Sequence, residues 1–175
     1  MNQKIHLHRL SDTLLLALND KTIFVLCIRN PFKSLISWHR MHHRIATTDI
    51  NPNHFAKKES DFYATCTIEE YYNHYAKNLL KYDFYLEQML KVIPVSNIIV
   101  FSQEFMARDI RKAARIISLK LGLASSFCPQ DRPPSAQISF ADRATINSPS
   151  IQDELADINK KVYEIITTSG IEHFV

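Results

Sequence analysis

Between Thr22 and Met41 the chain reads TIFVLCIRNPFKSLISWHRM, an apolar run that stops at an arginine and passes directly into Asn-Pro and a helical pattern. No other stretch limits the fold as tightly. Thr22 to Ile28 is rich in β-branched and aromatic residues and carries no charge after Lys21, which predicts a strand buried on both faces. Arg29 ends it. Asn30 is a suitable cap for the next helix, and Pro31 suits the first helical turn, where a missing N–H leaves nothing unpaired. The free amides of that turn, the positive end of the helix dipole and the Arg29 guanidinium are expected to converge, with the Ser37 hydroxyl two turns in as a further donor. A phosphate or sulfate fits such a corner. The alternative is an Arg29 that pairs with a carboxylate at the strand end.

The rest of the chain supports an alternating architecture. Short strands are expected near Ile5 to Leu7 and at Ile98 to Phe101, in addition to Thr22 to Ile28. Helices are expected at Asp12 to Leu18, Pro31 to about Ile45, Thr67 to Val92, Asp109 to Leu121 and Ile151 to Thr167. Tyr71, Tyr75, Leu79, Tyr82, Leu86 and Leu90 recur at three or four, which predicts one long helix stopped by Pro94. Gly122 is placed to be a left-handed C-terminal cap. Ala46 to Cys66 reads as an irregular polar segment, and Ala124 to Ser150, with four of the seven prolines, as a loop or lid. Strands alternating with helices imply an α/β protein with a parallel β-sheet flanked by helices. At 175 residues, 46% hydrophobic and 22% charged, one domain with a real core is expected.

These residues carry a resemblance. A strand ending in Arg-Asp/Asn-Pro with a serine eight residues after the arginine resembles the second nucleotide-binding element of sulfotransferases that use 3'-phosphoadenosine 5'-phosphosulfate (PAPS). Arg29, Asn30, Pro31 and Ser37 match at that spacing. Lys4 to Leu7, KIHL, is similar to the family's Lys-Thr-His-Leu segment, and His6 lies 23 residues before Arg29. NIIVFSQEFM followed by DIRKAARIISLKLGL is similar to the family's strand, Glu-Asp-Leu turn and helix ending in Phe-Leu-Gly-Leu, with Glu104, Met106, Asp109 and Leu121-Gly122-Leu123 on the pattern. The stretch YDFYLEQMLKVIPVSNIIVF resembles the Tyr-bearing helix that leads into that strand in glycan-type and bacterial members.

The resemblance implies a partial P-loop NTPase-like sulfotransferase fold, a single and N-terminally shortened domain over residues 1–175. It implies transfer of a sulfuryl group from PAPS to an acceptor hydroxyl or amine, a glycan or small molecule among the candidates. Arg29 and Ser37 would hold the 3'-phosphate, His6 would act as the base toward the acceptor, and Lys4, two residues away on the same strand face, would help neutralise the sulfuryl group. An imidazole suits proton abstraction near neutral pH. The sequence also departs from the family. Ile5 replaces the Thr, His8 the Pro and Ser34 a basic residue often found five positions after the arginine. The family's Gly- and Ser/Thr-containing loop for the 5'-phosphosulfate has no counterpart, since the two glycines, Gly122 and Gly170, do not start a helix after a strand.

Other groups have plainer readings beside functional ones. His39, His42 and His43 share a helical face at i, i+3 and i+4, a spacing that ligates zinc when further ligands join; none is nearby, and no metal is expected. Contact with nucleotide or acceptor is the other role open to them. Arg108, Arg111, Lys112 and Arg115 form a basic stripe that reads as a solvated face, without nucleic acid as partner. The tyrosines at 71, 72, 75, 82 and 85 either floor an acceptor pocket or pack the core. A net charge of +3 suits an anionic ligand, and Cys27, Cys66 and Cys128, without metal spacing, read as reduced thiols. No apolar run approaches the roughly 18 residues of a membrane span, and no signal-peptide layout opens the chain, so a cytoplasmic protein is expected. Two functional classes stand: a PAPS-dependent sulfotransferase, or a catalytically inactive remnant acting as a nucleotide-binding or interaction module. An exposed sheet edge would favour homo-oligomers in the second case.

Overall fold

The computed structural model describes residues 22–123 and 146–175. Lys4, His6 and the strand and helix expected ahead of Thr22 lie outside the described residues, as does most of the loop at Ala124 to Ser150. The described chain forms two compact units, one from residues 22–29, 84–123 and 162–175 and the other from Asn30–Asp83 and 146–161.

The first unit carries a three-stranded parallel sheet in the order β1-β2-β3. Strand β1 (Phe24–Ile28) pairs with β2 (Ile98–Ser102) from Phe24 opposite Ile98 to Ile28 opposite Ser102. Strand β3 (Glu172–Phe174) adds to the other side of β2, with Phe101 opposite Phe174. The central position of β2 follows from its sequence: IIVFS is apolar without alternation, and all five of its residues are buried. β1 differs from expectation. Its side chains alternate, with Val25 39% exposed and Cys27 exposed, so this strand is not buried on both faces. Uninterrupted apolar sequence does not distinguish a strand covered on two sides from one that spends hydrophobic residues on an open face.

The chain then builds the helices of this unit. Ser102 ends β2 and caps α-helix Gln103–Arg108 by accepting from the Phe105 N–H at 3.0 Å. Asp109 does the same for helix Ile110–Lys120, accepting from Lys112 at 2.9 Å. That second helix ends as expected at Gly122, φ +65°, where the Leu123 N–H reaches Ser118 O and the Gly122 N–H reaches Leu119 O in a Schellman arrangement. Ile99, Phe101, Phe105 and Ala113 form the buried centre, with Ile116, Ile117 and Phe174 packed against it. Phe101 stacks on Phe105 and on Phe174 at ring separations of 5.7 and 5.2 Å.

The second unit is helical. Helix α1 (Pro31–Thr47) is followed by two short helices, α2 (Phe55–Lys58) and α3 (Ser60–Tyr63), in the segment expected to be irregular. The long helix expected from Thr67 to Val92 is broken. A capping box between Thr67 and Glu70 starts α4 (Ile68–Tyr71), which widens into a π-helical turn over Tyr72–Ala76, resumes at Lys77–Leu79 and stops. A separate helix covers Tyr82–Leu90. The break has a packing cause: Tyr71, Tyr72, Ala76 and Leu80 are fully buried in the helical unit, whereas Leu86 and Met89 are buried in the sheet-bearing one. Helix Pro149–Ser169 runs through both units, giving Ile151 and Leu155 to the helical core and Val162 and Ile166 to the other.

Candidate functional site

The strand-to-helix junction forms where the sequence indicates. β1 stops at Ile28, Arg29 follows half-buried, and Asn30 caps α1 with Pro31 as its first residue. At the same carboxyl edge of the sheet, Ser102 is the partner of Ile28, and both strands therefore run directly into a capped helix. Ligands of open parallel sheets bind outside such edges. Ser102 was not visible as a special residue in the sequence. Its signal, a serine at the end of an apolar strand with a glutamate two residues on, is weak on its own.

The Arg29 guanidinium makes no hydrogen bond or ion pair with a described residue. The plain reading, an arginine satisfied by a carboxylate at the strand end, therefore finds no partner among the described residues. Arg29 belongs to the sheet-bearing unit, and Ser37, half-buried on α1, to the helical one; the chain passes from one to the other at the Arg29–Asn30 peptide.

The amides at the start of α1 differ from expectation. Asn30 Oδ1 accepts from Phe32 N at 3.0 Å and from Lys33 N at 3.4 Å, Ser34 N already bonds Asn30 O at 3.0 Å, and Pro31 has no N–H. No donor of this turn is left free. The side chain that makes Asn30 a good cap also takes the donors an anion would use, so any anion here relies on the guanidinium and on side-chain hydroxyls, or displaces the longer Lys33 bond. Ser34 is buried and accepts from the Tyr82 O–H at 3.3 Å. It is a core residue.

The histidines of α1 lie on one side of the helix but in different surroundings. His43 is exposed, His39 Nε2 bonds the Cys66 carbonyl at 3.0 Å, and His42 is 2% exposed. His42 sits in an aromatic cluster with ring centroids of Phe55, Tyr75 and His54 at 4.7, 5.0 and 5.2 Å, and its Nδ1 lies 2.8 Å from Tyr71 Oη. Burial first, then the neighbouring His54 and His39, lowers its pKa to about 4. Burial likewise raises the Tyr71 hydroxyl far above its ordinary range, and Tyr63 is pushed up to about 12, with Glu59 a lesser cause. Tyr71 Oη and a neutral His42 thus share one buried hydrogen bond, its direction set by the imidazole tautomer. These groups do not contact a bound nucleotide or acceptor from the surface; Tyr63, Tyr71 and Tyr72 are core residues. Tyr72 Oη is buried without a formed hydrogen bond, its proton held on by burial and by the nearby Glu154 carboxylate, which pairs with Lys77 at 3.3 Å.

The remaining groups have plain roles. Arg108, Arg111, Lys112 and Arg115 are exposed, and Arg108 and Lys112 both lie over the Phe105 ring, at 5.6 and 5.7 Å. No cluster of metal-ligating side chains occurs among the described residues, and no helix there is long and apolar enough to cross a membrane. Cys66 is buried, and burial raises its thiol pKa, which leaves it unreactive; Cys27 is exposed. No family model, curated protein or solved structure matches this chain.

Proposed function

We propose that the chain is a sulfotransferase-like protein of partial P-loop NTPase-like fold that binds a 3'-phosphorylated adenine nucleotide, with PAPS as donor and a hydroxyl or amine as acceptor. The observation that carries this reading is Arg29: a guanidinium at the carboxyl edge of a parallel sheet, one residue before a capped helix, without a partner among the described residues. Burying part of a charge without a partner is costly, and a ligand anion is the natural complement. In this reading Arg29 contacts the 3'-phosphate, and Ser37 keeps the role the resemblance implies for it. Asn30 serves as a cap and is not a ligand. His6 and Lys4 keep the roles the resemblance implies, base toward the acceptor and cation beside the sulfuryl group.

Transfer of a sulfuryl group moves sulfur from the phosphosulfate oxygen to the acceptor oxygen or nitrogen while the acceptor proton passes to a base. Such a step is governed by placement and by stabilising charge on the leaving oxygen. A second reading is favoured by the glycines. Both have positive φ and follow helices, Gly122 at +65° and Gly170 at +70°, so neither lines a phosphate loop. A nucleotide-binding or interaction module without turnover fits that placement.

Thermal melting with millimolar 3'-phosphoadenosine 5'-phosphate tests the reading. The nucleotide is expected to raise the melting temperature of the native chain and to leave Arg29→Ala unchanged. A melting curve indifferent to nucleotide in the native chain would remove the assignment. Turnover with PAPS then separates enzyme from module.

A further inference from the structure

His42 is buried on α1 and His54 opens α2, each with its Nδ1 in a hydrogen bond. His54 Nδ1 caps α2, accepting from the Ala56 N–H at 3.2 Å, and His42 Nδ1 lies 2.8 Å from Tyr71 Oη. The two rings are 5.2 Å apart. The α2–α3 segment lies against α1 through this contact, His42 meeting Phe55 at 4.7 Å and Tyr63 at 5.6 Å. We propose that His42, packed against His54, is an acid-responsive latch within the helical unit, whose protonation releases the segment from Phe55 to Tyr63 from α1.

The surroundings offer no compensation for a proton. On α1 the titratable neighbour is His39, which bonds the Cys66 carbonyl. From α3 and the residues after it come Tyr63 and Cys66, and from α4 and the π-turn come Tyr71 and Tyr75, none of them a carboxylate. The carboxylates of this region are engaged elsewhere, Glu59 with His74 at 3.5 Å and Glu70 in its capping box with Thr67. A cation at His42 would therefore be buried beside two further imidazoles and no anion, the arrangement that costs most. The segment it holds is weak by itself, since α2 and α3 are four residues each, too short to persist without packing.

The sign follows from linkage. A histidine whose pKa is lowered on folding contributes stability that is complete above its ordinary value of 6.5 and is lost as pH falls toward about 4. Amide hydrogen exchange, corrected for intrinsic rate, reads the result residue by residue. Between pH 7 and pH 4 the opening equilibrium of amides such as Glu59, Tyr63 and Cys66, bonded to Phe55, Glu59 and Phe62 carbonyls, is expected to rise about a hundredfold, ahead of the β1–β2 ladder. His54→Asn keeps a capping side chain while removing the imidazole that disfavours a charge on His42, and is expected to lessen the acid-driven opening. His42→Gln is expected to weaken the pH dependence further; should it not fold, the native chain and His54→Asn decide. Protection of the segment that is independent of pH, or that is lost together with the sheet at one pH, or a His54→Asn profile identical to the native one, overturns the proposal.

Discussion

Asn30 shows how one side chain can serve the fold and limit the site at once. Its carboxamide accepts from two amides of the first turn of α1, one at 3.0 Å and one at 3.4 Å, and so stabilises a helix that begins with Pro31. Asn30→Ala is expected to cost about 1 kcal/mol, and Asn30→Asp much less, because the carboxylate still caps and complements the dipole. Urea unfolding of the three proteins checks this, and equal midpoints would show the cap to be idle. Arg29 is the opposite case, a charged group with no described partner. Both residues were legible in the sequence, because a strand-to-helix turn has few solutions and Arg-Asn-Pro matches one of them. The engagement of the amides was not, since an Asn-Pro start serves equally for a cap alone and for an anion cradle. His42 was misread for a related reason: its spacing from His39 and His43 places them near one face of a helix, but spacing alone does not say which part of that face is buried.

At the scale of elements, sequence periodicity located the apolar segments better than it located their ends. β1, α1, β2 and the helix closing at Gly122 lie where apolar runs and caps put them. The region from Thr67 to Leu90 does not, because its apolar residues serve two different cores and a single helical period cannot serve both. β3 went unrecognised: Glu172–Phe174 is three residues long, with one aromatic side chain to report it. That side chain has a clear place, stacked on Phe101 beside Phe105. Phe101 is 0% exposed on the central strand, so Phe101→Ala is expected to destabilise by about 3–5 kcal/mol. Phe174→Ala, at a half-buried position on the edge strand, should cost clearly less. Denaturant titrations rank the two, and equal costs would mean that β3 is as central to this core as β2.

For the whole molecule, a small parallel sheet and a helical unit are built from interleaved parts of the chain, which crosses between them at Arg29–Asn30, within Tyr82–Leu90 and within Pro149–Ser169. The α/β character was legible because β2 and the helices around it carry unmixed signals. The division into two units was not, since the crossings at Arg29–Asn30, within Tyr82–Leu90 and within Pro149–Ser169 carry no linker-like composition. In the proposed function Arg29 is the contact for a 3'-phosphate. Calorimetric titration with 3'-phosphoadenosine 5'-phosphate and with adenosine 5'-phosphate, which lacks the 3'-phosphate, measures that contact. The native chain is expected to prefer the 3'-phosphorylated nucleotide by about tenfold or more, the worth of one charge-assisted contact, and Arg29→Ala to bind both equally. Equal affinity of the native chain for the two nucleotides, or a preference that survives Arg29→Ala, contradicts it.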